Sequence, residues 1–212
     1  MSHGQAGEDW YFPPIFGLGL VFNSYSIRTS RHSIAFNYPS AIGQTLDTNS
    51  IESLAELLLS KYLEKNKLPK KIDRIVAYSM GAIVAFEVIK QLELRGTKVE
   101  ELIIWDKPAQ IKYEPELPIQ LHPSIMHYVE QLAFDQAQRE KMLRYLTIHQ
   151  EMIEHYHQKG RIESNIQLYY CKKGFEESAM NDWCQLTNGK TTLIELPAEV
   201  SHYDIPTYWK SS

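Results

Sequence analysis

The sequence predicts an α/β domain in which a mostly parallel sheet carries helices on both faces. Three observations carry that reading. Strand-like and helix-like runs alternate through the first half of the chain, a tight turn of small residues joins one such strand to its helix, and two long helical segments interrupt the alternation before strands resume.

Trp10-Tyr11-Phe12, closed by Pro13-Pro14, reads as a short first strand, because proline cannot continue a central ladder. Ser33 to Tyr38 is a second strand candidate, stopped by Pro39. Asn49-Ser50 offers an N-cap to a helix over 51–65, whose Ile51, Leu54, Leu57, Leu58 and Tyr62 fall at helical spacing. The run Ile72 to Val76 is the next strand, and a helix from the turn after it runs to about Leu94 and stops at Gly96. Glu101 to Trp105 is a buried strand ended by Asp106. A Pro-rich stretch follows from Lys107 to Ser124, then helices over about 124–134 and 137–158, with Ile125, Tyr128, Val129 and Leu132, then Met142, Leu143, Tyr145, Leu146 and Ile153, on their apolar faces. Ile166 to Cys171 and Thr191 to Leu196 return to the sheet. The chain therefore reads as one domain over 1–212, with a core of about 10–106 and 161–212. Helices inserted between core strands at about 107–160 read as a lid over a pocket, or else as a thickening of the core.

The turn is Ala77-Tyr78-Ser79-Met80-Gly81. A serine between a strand and a helix, with small residues two positions either side, is the nucleophile elbow of the α/β-hydrolase fold, where close backbones exclude larger side chains. Ala77 stands where glycine is more common. The helix that follows would set the Met80 backbone N–H and its positive end beside Ser79, where an oxyanion would form. The loop 14–19, Pro-Ile-Phe-Gly-Leu-Gly, would supply a second donor; its glycines lack the spacing and the lysine of a phosphate-binding loop.

Bulk properties exclude several other classes. A formal net charge of −4 and a pI near 6.1 leave no footprint for nucleic acid. There is no block of like charge for a membrane surface and no apolar run long enough to span a bilayer. The first residues lack the plan of a signal peptide, and the two cysteines, Cys171 and Cys184, form neither a disulfide framework nor a metal motif. A cytoplasmic setting is the expectation.

A serine nucleophile needs a base, and the base needs an orienting carboxylate. In a wound parallel sheet such groups gather beyond the carboxyl ends of strands. Among the eight histidines only His202 follows the last strand in a loop. His149, His155 and His157 suggest a metal site only weakly, since their spacing does not place all three on one helix face. Asp106, directly after its strand, is the candidate acid, with Glu176 as the alternative; Asp204 is too close to His202 in sequence to reach its ring easily. Ser79, Asp106 and His202 then stand in hydrolase-fold order.

On these residues the chain resembles the thioesterase domains that end nonribosomal peptide synthetases, the surfactin synthetase type above all. The resemblance rests on Phe12 to Leu20, on Tyr78-Ser79-Met80-Gly81 continuing into Ala85-Phe86-Glu87, on Leu102 to Asp106 with the acid placed early, and on Ser201-His202 after a segment containing Trp183. It implies that Ile15 supplies the second oxyanion N–H. It also implies a serine thioesterase that takes an acyl or peptidyl chain from the phosphopantetheine arm of a carrier protein, releasing it by hydrolysis or as a macrocycle. No metal or resident cofactor is implied, because phosphopantetheine arrives with the carrier. Lys107, Lys112, Lys172 and Lys173 are candidates for a basic rim facing that carrier. The chain stops soon after His202, where that family adds a further helix, which also fits compact carboxylesterases acting on small carrier-bound esters, such as the pimeloyl-carrier methyl esterases. A catalytically silent hydrolase-fold binding module is the alternative from outside enzymology.

Overall fold

Side-chain alternation builds the sheet. Along β1 (Glu8–Phe12), Trp10 and Phe12 join one buried cluster while Tyr11 joins another on the opposite face, the two-residue period of a strand buried on both sides. A computed structural model of the protein describes residues 8–29, 31–42, 48–109, 123–133, 135–172 and 177–211. After β1 come α1 (Asn23–Thr29), β2 (His32–Ala35), α2 (Ile51–Leu63), β3 (Lys71–Tyr78), α3 (Met80–Leu94) and β4 (Lys98–Trp105). The chain continues through α4 (Pro123–Leu132), α5 (Gln136–His155), β5 (Asn165–Tyr170), α6 (Glu177–Asn181), β6 (Thr191–Glu195) and α7 (Ile205–Ser211).

The six strands lie in the order β2-β1-β3-β4-β5-β6, and every pair is parallel. The winding reverses between β1 and β3, so the carboxyl ends of those two strands frame the switch-point crevice in which such sheets place ligands. On one face the sheet packs against α2, α3 and residues of α4 and α5, including Ile125, Val129, Leu146 and Met152. On the other, Val76, Tyr78, Ile103 and Trp105 meet Phe22, Tyr25, Ile205 and Trp209. Asp9, wholly buried, accepts hydrogen bonds from the Arg74 and Arg31 guanidinium groups, the partners a buried carboxylate needs.

Most predicted elements appear, and the differences have local causes. β2 stops at Ala35 rather than Tyr38 because the next residues turn to hold the loop after β1: Tyr38 N donates to Gly17 O at 2.8 Å and Tyr38 Oη to Pro13 O at 2.8 Å. α5 ends at His155 because Tyr156 turns extended and buries its ring, donating to Glu87 Oε1 at 2.6 Å. The missing C-terminal helix is a correction, since α7 follows His202 directly. Asp204 starts it: its Oδ2 accepts from Ser201 N at 3.1 Å in a capping box, and Trp209 then stacks on Trp105. Most of the Pro-rich segment after β4 lies outside the described residues.

Candidate active site

β3 delivers Ser79 in an unusual backbone conformation, φ 52°, ψ −124°, which costs an L-residue strain and turns its side chain out of the strand. The turn is tight. A Cβ on Gly81 would lie 2.2 Å from Phe12 O and 2.7 Å from Pro13 O, so only glycine lets the start of α3 pack against the end of β1. Ala77 needs no such room. Its methyl is buried in register with Phe12 and Ile104.

β4 delivers Asp106, fully buried and at φ 49°, a region that short polar side chains tolerate. Its two oxygens do different work. Oδ1 accepts Cys171 N–H at 2.7 Å, and Oδ2 faces His202 Nδ1 at 2.8 Å. A carboxylate held this way can only accept, so His202 carries its proton on Nδ1 and leaves Nε2 open. Three further contacts hold the strand ends together, and one of them reaches the His202 loop. Ser79 N donates to Trp105 O at 3.1 Å, Asp106 N donates to Tyr169 O at 2.7 Å, and Tyr78 Oη donates to His202 O at 2.6 Å. The Tyr78 and His202 rings also lie 5.1 Å apart. Among the described residues Ser79 Oγ makes no hydrogen bond. Met80 opens α3, and Ile15 lies in the turn closed by Gly17 N donating to Pro14 O at 2.8 Å.

Residues 10–201 match the family model of the thioesterase domain. The chain belongs to that family. The thioesterase domain is 26% identical over 183 residues to a mycosubtilin synthase polypeptide of Bacillus subtilis, covering 81% of this chain and 7% of that protein. It is 32% identical over 113 residues to bacitracin synthase 3 of Bacillus licheniformis, covering 52% of this chain and 2% of that one. The chain thus spans a small fraction of the length of these curated relatives. Among solved structures, ClbQ from the colibactin NRPS/PKS pathway superposes with a TM-score of 0.77 at 14% identity, over 97% of this chain and 93% of ClbQ. The thioesterase domain SrfTE, described in the cyclization of the lipopeptide antibiotic surfactin, superposes at 0.68 and 19% identity, over 97% and 86%. These likenesses establish the shared α/β-hydrolase fold.

Other sequence candidates in this thioesterase domain fall elsewhere. Glu176, Lys112 and Lys173 lie outside the described residues. Lys107 leaves the rim: it is 4% exposed, and burial lowers its pKa to about 7, while its carbonyl accepts the Trp183 indole N–H at 2.7 Å. Lys172 is exposed and 3.5 Å from Glu195. Among the described residues no three His, Cys, Asp or Glu side chains form a metal site. His149 and His155 have separate partners: His155 Nδ1 bonds Glu151 O at 2.7 Å, and His149 Nδ1 bonds Ile15 O at 2.6 Å. The supporting contacts from Tyr78 and Cys171 were not read from sequence. Tyr78 stood beside the serine, but nothing in residue type alone announces a partner on a backbone carbonyl 124 positions away. No helix among the described residues is long and apolar enough to cross a membrane.

Proposed function

We propose that this domain is a serine thioesterase that releases an acyl or peptidyl chain from the phosphopantetheine arm of a carrier protein. The observation that carries the reading is the 2.8 Å Asp106–His202 contact beside a serine on a strained strand-to-helix turn. His202 Nε2 takes the Ser79 proton as Oγ attacks the thioester carbonyl. Asp106 stabilises the imidazolium through Nδ1, and the Met80 and Ile15 backbone N–H groups receive the oxyanion. As the tetrahedral species collapses, the carbon–sulfur bond breaks and the imidazolium protonates the departing thiolate. Water, or an amine or hydroxyl of the chain itself, then attacks the Ser79 ester with His202 again as base, giving acid or macrocycle. The domain needs no resident cofactor, because phosphopantetheine belongs to the substrate. The nonribosomal synthetases among its relatives support a carrier-bound substrate.

Intact-mass spectrometry after exposure to a panel of acyl and peptidyl thioesters tests this. The expected result is a covalent adduct on the wild type, decaying to acid or cyclic product, and none on Ser79→Ala. Turnover of small esters without thioesters would replace the reading with a compact carboxylesterase. No adduct and no turnover of either class would replace it with a binding module.

A further inference from the structure

The turn that carries Ile15 is held from both sides. From the core, Tyr38 Oη donates to Pro13 O at 2.8 Å and Tyr38 N to Gly17 O at 2.8 Å. Within the turn, Gly17 N donates to Pro14 O at 2.8 Å. Pro14 O belongs to the same trans peptide plane as the Ile15 N–H, so fixing the carbonyl fixes the opposite direction of that N–H. The Ile15 carbonyl faces α5. There His149 Nδ1 meets it at 2.6 Å, while His149 Nε2 meets Ser40 Oγ at 3.3 Å.

A carbonyl only accepts, so the proton sits on Nδ1, and Nε2 accepts the Ser40 hydroxyl. His149 is 1% exposed and its ring stands edge-on to Tyr38 at 5.5 Å. The arrangement resembles a second serine–histidine dyad. However, burial lowers the His149 pKa to about 4, leaving a ring too weakly basic to take a hydroxyl proton near neutral pH. Its chemistry is hydrogen bonding, and its position is a seam. Met142, Tyr145 and His149 recur along one face of α5 and, with Ile15, Phe16 and Ser40, line a cavity of about 210 Å³ between that helix and the turn.

We propose that His149 is a positioning residue: from the inserted helix α5 it holds Ile15 O, and so sets the turn that aims the Ile15 N–H at the reacting carbonyl. This rests on the thioesterase reading above, with Ile15 as an oxyanion donor. The consequence is a coupling in which α5 must be docked for the turn to be set, so one hydrogen bond serves both the insert and the chemistry. Ser40 supports it by occupying Nε2 and holding the proton on Nδ1.

The test is steady-state and single-turnover kinetics on an acyl thioester with His149→Phe, His149→Asn and Ser40→Ala, each with its thermal midpoint. Phenylalanine keeps the ring against Tyr38 without the donor. Asparagine places its amide nitrogen where Nδ1 stands. Removing an oxyanion donor outright costs about 100- to 1,000-fold in kcat; misaiming one is expected to cost about tenfold or more, with KM little changed. His149→Asn should recover most of that loss. Ser40→Ala should lower kcat in the His149 protein and leave His149→Asn unaffected, the signature of a shared path. Equal kcat in wild type and a folded His149→Phe would overturn the proposal, as would a His149→Asn defect matching His149→Phe. If His149→Phe does not fold, the Ser40→Ala pair decides alone, and a Ser40 effect of the same size in both backgrounds overturns it. Wild type that forms no Ser79 adduct would instead overturn the thioesterase reading itself.

Discussion

Asp106→Asn separates the chemistry of the site from its architecture. Asparagine adopts left-handed backbone readily, so the φ of 49° at this position survives. Its oxygen can still accept the Cys171 N–H, which lies 2.7 Å from Oδ1. The reverse amide orientation would set two donors against each other. The amide nitrogen therefore faces His202 Nδ1, where Oδ2 stands at 2.8 Å. Because that nitrogen only donates, the imidazole must offer an unprotonated Nδ1 and carry its proton on Nε2. In that tautomer it cannot accept the Ser79 proton. Folding exchanges hydrogen bonds to a charged group for neutral ones, a loss of about 1–3 kcal/mol. The rate is expected to fall by about 10⁴, which at 1.36 kcal/mol per tenfold is about 5.4 kcal/mol. The two losses differ enough to be told apart. Single-turnover acylation by an acyl thioester at pH 7.5, measured beside the thermal midpoint, reads both. A folded Asp106→Asn protein acylating within tenfold of the wild type would mean that Asp106 does not set the His202 tautomer during the reaction.

Two further outcomes concern stability. Ser79→Gly relieves the strain at φ 52° that Ser79→Ala retains, about 1–3 kcal/mol, against about 0.4–1 kcal/mol for the freer unfolded chain. Both variants are expected to be inactive, with the glycine protein melting a few degrees higher; equal midpoints would show that the elbow stores no strain. Lys107 is buried with no carboxylate partner among the described residues, and its pKa falls from the ordinary lysine range to about 7. The unfolded chain then binds the extra proton between about pH 7 and pH 10.4, so this residue's penalty is full below pH 7 and fades as pH rises. Lys107→Met is therefore expected to be more stable than wild type at pH 6, by a few kcal/mol in denaturant unfolding, with the gap narrowing toward pH 10. A gap independent of pH would show that the buried ammonium is not its source.

Periodicity and punctuation made most of the sheet legible. The short apolar runs of β1, β3 and β4, the serine cap of α2 and the glycine after α3 are local signals, each contained within a few residues. Asp106 and His202 could be paired from their places after strands, because a parallel sheet brings all carboxyl ends to one side. What stayed hidden was set by partners without a residue-type signature. His149, singled out only as a possible ligand, bonds a backbone carbonyl 134 positions away. Lys107 looked like surface because lysine usually is, yet the packing of Trp183 against its carbonyl keeps it inside. The helix after His202 depends on the indole and phenol rings of Trp105, Tyr169 and Trp209, which become neighbours only once the sheet has formed.

The strand order sets an unequal tenure for the reacting groups. Ser79 and Asp106 stand at the ends of β3 and β4, each flanked by hydrogen-bonded strands on both sides, whereas His202 hangs beyond β6, which among the described residues has β5 alone beside it. Edge elements fray at a lower free energy than the centre of a sheet. Transient release of β6 and the loop behind it would disarm the domain while the serine and its acid stay in place. Loss of turnover on warming should accordingly precede loss of the bulk fold, with amide exchange near His202 outrunning that along β3.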